Sequence, residues 1–171
     1  MQASERAELI RQYEDGVPTF TKALAGVPAG ALKWRPAPGA WSVHEIVCHC
    51  ADSETNSASR IRYLTGERDL SLDNYDQDRW AIEFDYHAHP LDAAVATVQA
   101  VRANTAPLVR RLPAAAWERV HHHKTKGRYT ATDWLRTYAV HLHEHARQIE
   151  DNVAAWRRRP APASACGGRA R

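Results

Sequence analysis

The sequence predicts an all-α protein, a four-helix bundle with up-down-down-up topology and a long crossover between the second and third helices. Three observations support this fold class. Apolar residues recur at steps of three and four in four separate segments, which is the spacing of one helix face. Two of these segments start with a capping box, and no segment shows a convincing strand pattern. The hydrophobic fraction of 44% and the charged fraction of 25% are typical of a globular domain.

The first predicted helix carries its apolar face from Ile10 to Val27. Pro18 lies within that segment. A proline inside a helix removes a hydrogen bond and clashes with the preceding turn, so we expect a kink or a break there.

The second helix begins in the stretch WSVHEI. Ser42 is the predicted N-cap, and Glu45 at the third helical position completes a capping box. We expect the helix to run from Val43 to about Leu64, with Gly66 just beyond its end.

Residues 67 to 89 form a polar, irregular connection in which a few aromatic residues predict a short element that covers the core. At roughly 23 residues it is far longer than the 2 to 8 usual between bundle neighbours, which indicates a crossover. Pro90 then opens the third helix and Pro113 ends it.

The fourth helix repeats the signal of the second in the stretch YTATDW, with Thr130 as N-cap and Asp133 completing the box. It should continue to about Trp156. We therefore expect one domain over residues 1–157 and a disordered tail, rich in Arg, Pro, Ala and Gly, over residues 158–171.

Composition and charge exclude several classes of function. No apolar run approaches the roughly 18 residues of a membrane span, and the N-terminus lacks the pattern of a signal peptide. The last 15 residues hold five arginines and no acid, whereas the rest has 18 basic and 20 acidic side chains, which argues against nucleic-acid binding. Three cysteines, Cys48, Cys50 and Cys166, are too few for a disulfide framework. We expect a soluble, cytoplasmic protein that binds neither nucleic acid nor membranes.

The stretch HLHEHARQIE on the fourth helix contains three histidines, which helical geometry divides into two classes. His141 and His145 lie one turn apart on the face that carries Trp134 and Tyr138, within a stripe of roughly 80°. His143 points nearly the opposite way and is predicted to be solvated. Two imidazoles at positions i and i+4 can bind one metal ion.

The best candidate for a third ligand is His49, two turns into the second helix and on the flank of its core face. The small neighbours Ser53 and Ser57 leave room for a pocket beside it. Three neutral imidazoles on a divalent ion leave a position open for water or substrate, which is typical of a catalytic site. Zinc or nickel is the expected ion, with iron or manganese as alternatives.

Other motifs favour ordinary interpretations. The run His121–His123 is predicted to lie in a solvated loop. Cys48 and Cys50 flank His49 but point apart on a helix, so they cannot both join it on one ion. Neither HEIVCH nor HEHAR matches the metalloprotease motif, and the sequence contains no glycine-rich phosphate loop and no nucleophile elbow.

Two separated motifs carry a family pattern. The run LKWRPAPGAWSVHEIVCHCADSE fits the pattern W-x-P-x-x-x-x-W-S followed by E-x-x-x-H-x-x-D-x-E, and HLHEHARQI fits H-x-x-x-H-x-x-Q-I. Together they resemble the DinB/YfiT-like superfamily. The resemblance covers roughly residues 5 to 155. It implies an up-down-down-up bundle, often a homodimer, and a divalent metal held by His49, His141 and His145. Many relatives carry aspartate where this chain has Leu142, so a role for that acid does not carry over.

Three hypotheses of function follow. The first is a metal-dependent hydrolase that acts on a small molecule, in which the ion activates a bound water. In it Glu45, one turn before His49, is a candidate catalytic residue, although the capping box also explains Glu45. The second hypothesis, implied by the resemblance, is a metal-dependent transferase that uses a low-molecular-weight thiol. The third is a dimeric, metal-binding stress protein without turnover.

Overall fold

The computed structural model describes residues 1–68 and 71–160. Cys166 and most of the predicted tail lie outside these residues. Four long helices form the bundle that the sequence predicts, and they confirm the all-α, four-helix class. They are α1 (Ala3–Ala25), α2 (Val43–Gly66), α4 (Leu91–Arg111) and α6 (Ala131–Arg158). No described helix has both the length and the apolar character needed to cross a membrane.

The helix termini follow the capping signals in the sequence. At the start of α2 the Ser42 hydroxyl accepts a hydrogen bond from the Glu45 backbone N–H, and the Glu45 carboxylate accepts one from the Ser42 backbone. Thr130 and Asp133 make the same reciprocal pair at the start of α6. Both predicted capping boxes are therefore confirmed.

The structure refines one predicted detail of the helices and contradicts another. Of the kink or break expected at Pro18, it excludes the break, because α1 continues through this residue to Ala25. Packing of α1 along the bundle stabilises the helix on both sides of the proline. At the end of α2, Gly66 is the last helical residue instead of the first residue beyond the helix.

Contacts between the helices fix their neighbours and directions. α1 packs against α6 and α4, and α2 packs against the same two helices. Glu5 of α1 meets Arg136 near the start of α6, and Lys22 and Arg157 share a pocket farther along, so α1 and α6 run in the same direction. On α2, Ser57 contacts Trp134 of α6. His49, nearer the start of α2, contacts His145, later on α6, so these two helices run in opposite directions.

The connections contain structure that the sequence pattern does not reveal. A short helix, α3 (Gln77–Glu83), is the covering element expected between the second and third bundle helices, and α5 (Ala114–Trp117) follows α4. The absence of strands was predicted wrongly. Strands β1 (Ser71–Leu72), β2 (His121–His123) and β3 (Gly127–Tyr129) form a small sheet in which β2 pairs in parallel with β1 and antiparallel with β3.

The interior consists of two apolar clusters with a polar layer between them. One cluster contains Val47 and Ile149, and the other contains Ile61 and Trp134. On α2, Ser53, Glu54 and Ser57 lie between the residues of the first cluster and Ile61 of the second. On α4, Arg102 and Thr105 lie between Val98 of the first cluster and Val109 of the second, and His49 of α2 borders this layer.

Candidate metal centre

Three histidines from two helices converge in the polar layer. His49 lies on α2, and His141 and His145 lie one turn apart on α6. Each offers one ring nitrogen, and the three nitrogens lie within 4.8 Å of one another. The ring centroids are 5.6 Å apart for His49 and His141, 4.9 Å for His49 and His145, and 4.6 Å for His141 and His145. The structure thus brings together the three residues selected from the sequence.

Burial keeps two of these imidazoles neutral. His49 is 3% exposed. Burial, together with the neighbouring His145 and His141, lowers the pKa of His49 to about 3. Burial and His141 likewise lower the pKa of His145 to about 4. At neutral pH the lone pairs of both residues are therefore available for a ligand.

Two neighbouring side chains orient the histidines of α6. His141 Nδ1 donates a hydrogen bond to Glu54 Oε1 over 3.1 Å, and His145 Nδ1 donates to Gln148 Oε1 over 2.9 Å. With Nδ1 as the donor, Nε2 of each ring carries the lone pair. His49 differs, because its Nδ1 is buried and has no hydrogen-bond partner within the described part of the chain.

Glu54 is itself held by a buried cation. Arg102 donates from Nε to Glu54 Oε2 over 2.6 Å and from Nη2 to Oε1 over 2.7 Å. Burial alone would raise the pKa of Glu54, but the charge of Arg102 and the hydrogen bonds from His141 and Arg102 outweigh burial and lower it. The carboxylate therefore stays ionised and remains an acceptor for the ring of His141.

A cavity of about 340 Å³ opens beside the histidines. Its lining includes the buried His49, Ser53, Tyr129 and Tyr138 and the half-buried His141, and Ser53 Oγ lies 3.3 Å from His141 Nε2. Burial raises the pKa of Tyr138. A small molecule in this cavity would thus meet both imidazole and hydroxyl groups.

Glu45 lies apart from that cavity, among the residues of a separate pocket. Its Oε2 accepts hydrogen bonds from the Ser42 backbone N–H at 2.8 Å and from the Ser42 hydroxyl at 2.9 Å. Arg35 forms an ion pair with the same carboxylate, and His87 lies within 3.4 Å of it. Although burial raises the pKa of Glu45, these contacts lower it to about 2. The capping interpretation therefore accounts for Glu45.

Two predictions about other histidines are wrong. His143 is not solvated, because its Nε2 donates to the Gln12 carbonyl of α1 over 2.9 Å and the side chain is half-buried. The run of three histidines is not a loop but strand β2, in which His121 and His123 are buried. In both cases residues distant in sequence cover the histidine side chains.

Sequence reasoning assigned no role to Glu54 or Gln148, although both belong to the quoted motifs. Gln148 lies three positions after His145, a spacing at which helical side chains meet, so its contact could have been predicted. The contact of Glu54 with His141 joins residues 87 positions apart and required the fold.

The sequence and the fold are similar to those of known proteins. The model of the DinB superfamily matches residues 12–149. A "Putative metal-dependent hydrolase" of Oceanobacillus iheyensis is 27% identical over 111 residues, which are 65% of this chain and 64% of that relative, slightly under two thirds of its length. A protein of Bacillus cereus with the same name is 24% identical over 140 residues, 82% of this chain and 80% of the relative.

A solved structure shares the fold. It is described as "YfiT from Bacillus subtilis is a probable metal-dependent hydrolase with an unusual four-helix bundle topology". The similarity has a TM-score of 0.83 and covers 91% of this chain and 90% of that one, at 23% sequence identity. At that identity the likeness supports the fold alone.

Proposed function

The chain belongs to the DinB superfamily, and from this premise we propose that it is a metal-dependent hydrolase whose divalent ion is held by His49, His141 and His145. The observation that carries the proposal is the convergence of three ring nitrogens within 4.8 Å of one another. Relatives that match most of the chain are named for the same class of activity.

The donor set fits a divalent ion. Three neutral imidazoles are good ligands for zinc and nickel, which are the ions we propose. The buried Nδ1 of His49, which has no partner among the described residues, also fits a site that a ligand completes. Hydrogen bonds from His141 to Glu54 and from His145 to Gln148 hold two of the rings, as is usual for metal-binding histidines.

A divalent ion with three protein ligands supplies a Lewis acid and lowers the pKa of a bound water to about 7. The chain supplies orientation and polar contacts. Burial raises the pKa of Tyr75 to about 12, so its hydroxyl stays protonated at neutral pH. Tyr75, Tyr138 and Ser53 line the cavity and can hydrogen-bond a substrate oxygen beside the histidines.

Metal binding by matched variants tests the site. Purified without a histidine tag, the protein should contain about one zinc or nickel ion per chain by elemental analysis. We expect His141→Ala to weaken zinc binding by more than about 100-fold in competition with a chromophoric chelator, since loss of a ligand costs more than loss of its support. His143→Ala, on the same helix but outside the cluster, should keep the wild-type affinity. Equal affinity of the two variants would contradict the proposed ligands.

Turnover tests the reaction class. Hydrolysis of 4-nitrophenyl acetate should stop when a chelator removes the zinc or nickel, return when the ion is added back and be lost in His141→Ala. Turnover that requires an added low-molecular-weight thiol would contradict the hydrolase and favour the transferase. Stoichiometric metal without turnover of esters or amides would favour a binding protein.

A further inference from the structure

The cavity beside the histidines carries positive charge at its exposed side. Arg60 and Lys126 line it, and its described lining includes no aspartate or glutamate. We propose that the substrate is a small organic anion whose carboxylate or phosphate group is bound by Arg60 and Lys126, while its reacting group faces His49 and His141. This inference rests on the proposed function, because it names the substrate class of the same site.

Helical geometry places Arg60 on the same side of α2 as His49. Eleven residues separate them, which corresponds to a rotation of about 20° and a rise of about 16 Å. Long side chains on a helix lean towards its N-terminus, so the guanidinium of Arg60 is directed back towards the histidines. A molecule that fills the cavity can therefore reach both groups.

The guanidinium of Arg60 is held in place while most of its donors remain available. Its Nη2 donates to the Asp73 carbonyl over 2.7 Å. The Asp73 carboxylate is paired with Lys124 at 2.6 Å, so it does not neutralise Arg60. An arginine has five N–H donors in a planar fork that suits carboxylate and phosphate oxygens.

Strand β2 gives Lys126 its position. The buried ring of His123 accepts hydrogen bonds at Nδ1 from the backbone N–H groups of Thr125 at 3.2 Å and Lys126 at 3.3 Å. Its Nε2 donates to Asn74 Oδ1 over 3.1 Å, and Asn74 also lines the cavity. His123 thus fixes the turn that carries Lys126 against the segment that carries Asn74.

The ammonium of Lys126 is close to the wall of the cavity. Its Nζ lies 5.5 Å from the ring centroid of Tyr129, another lining residue, in a cation–π arrangement. The amides of Asn74 and Gln77 complete the exposed side with donors for the same anion. Two cations and two amides around one opening favour an anionic group over a neutral one.

Small anions of known charge test the proposal. Zinc-loaded protein is titrated by calorimetry with glutarate, with 3-phosphonopropionate and with glutaramate, in which an amide replaces one carboxylate. We expect at least one of the first two to bind about tenfold more tightly than glutaramate, because a charge-assisted hydrogen bond to the second anionic group is lost in the amide. Comparison of the affinities for glutarate and for 3-phosphonopropionate decides whether the site prefers a carboxylate or a phosphate group.

Substitutions assign the effect to the two cations. Arg60→Gln and Lys126→Gln, the latter at an exposed residue, should each reduce the preference for glutarate or 3-phosphonopropionate over glutaramate until the affinities are nearly equal. Arg62→Gln, two positions along α2 and outside the cavity lining, should keep the wild-type preference. A wild-type protein without preference, or a preference that survives both Arg60→Gln and Lys126→Gln, would overturn the proposal.

Zinc stoichiometry of every sample separates this inference from the proposed function. Unchanged zinc binding in Arg60→Gln and Lys126→Gln together with a lost preference supports the anion site. Normal zinc binding without any preference in the wild type overturns the anion site and leaves the metal site intact. Failure of the wild type to bind zinc or nickel contradicts the proposed function itself.

Discussion

The two histidines of α6 are held by chemically different partners. His141 Nδ1 donates to the ionised carboxylate of Glu54, whereas His145 Nδ1 donates to the neutral amide of Gln148. A carboxylate partner makes the opposite ring nitrogen a stronger donor to a metal than an amide partner does. His49 Nδ1 has neither kind of partner among the described residues. The two rings of α6 therefore differ in basicity although both are imidazoles.

Removing the amide partner should weaken the proposed metal site without removing a ligand. In Gln148→Ala the ring of His145 loses its hydrogen bond, and we expect zinc affinity to fall about tenfold. This is the lower end of the loss expected when a residue that hydrogen-bonds a metal ligand is removed. Competition with a chromophoric chelator measures the change. Arg147→Ala, exposed and adjacent, is the control. Equal affinities of the two variants would show that the amide does not orient the ring.

The lowered pKa values of His49 and His145 predict a pH dependence of stability. Above the ordinary value of 6.5 both folded and unfolded chains hold neutral rings, so these residues contribute no pH dependence. Below it the unfolded chain takes up protons that the folded chain does not. The free energy of unfolding of metal-free protein should then fall, by up to about 1.4 kcal/mol per pH unit for each histidine.

Urea unfolding at about pH 7 and about pH 5.5 measures this loss, in a range above the titration of the carboxylates. The double variant His49→Gln/His145→Gln should lose less stability between these two pH values than the wild type. A loss as large in the double variant as in the wild type would assign the pH dependence to other groups.

At this scale the sequence predicts side chains whose environment is set by their own helix. The one-turn spacing of His141 and His145 is such a case. His143 and His123 were wrongly predicted to be solvated. Their partners, the Gln12 carbonyl and Asn74 Oδ1, lie far away in sequence and could not be inferred from local spacing. Helical geometry gives the direction of a side chain but not the element it meets.

Among the elements, the two capping boxes fix where α2 and α6 begin, and these helices carry the three histidines. The box at Ser42 sets the register of α2 seven residues before His49. The box at Thr130 does the same for α6, with His141 three turns later. Since a helix is rigid over this length, each cap contributes to the relative position of the proposed ligands.

Loss of one cap should cost stability and leave the fold intact. Thr130→Ala removes the side-chain acceptor for the Asp133 backbone N–H, and we expect a loss of about 1 kcal/mol, seen as a lower urea midpoint with an unchanged slope. Thr130→Ser keeps the hydroxyl and should stay close to the wild type. Thr97→Ala, within α4, controls for loss of a threonine. A Thr130→Ser variant as unstable as Thr130→Ala would contradict the capping explanation.

The long helices were predictable because periodicity and caps are local signals. Both predicted starting points, at Val43 and just after Thr130, agree with the structure. The strands were not predictable, because each has two or three residues, too few for an alternating pattern. Pairing of β1 with β2 joins segments about 50 residues apart and depends on the crossover.

For the whole molecule, Arg102 of α4 connects the four long helices. It binds the Glu54 carboxylate of α2, donates from Nη1 to the Tyr13 carbonyl of α1 at 2.6 Å and donates from Nη2 to the Tyr138 carbonyl of α6 at 2.9 Å. Glu54 in turn holds His141. The polar layer between the two apolar clusters therefore links assembly of the bundle to the orientation of a proposed ligand.

Removing one charge of the buried pair should be worse than removing both. Arg102→Met leaves the Glu54 carboxylate, fully buried in the native fold, without its cation, and we expect a loss of about 3 to 5 kcal/mol in the free energy of unfolding. For a domain of this size the melting temperature falls by on the order of 10 °C.

The double variant Arg102→Met/Glu54→Gln has no buried charge at this position, so it should be more stable than Arg102→Met. Its zinc affinity should remain below that of the wild type, because His141 no longer faces a carboxylate. Urea unfolding of metal-free protein and chelator competition measure the two effects separately. A double variant no more stable than Arg102→Met would show that the lost backbone contacts of Arg102, and not the unpaired charge of Glu54, account for the destabilisation.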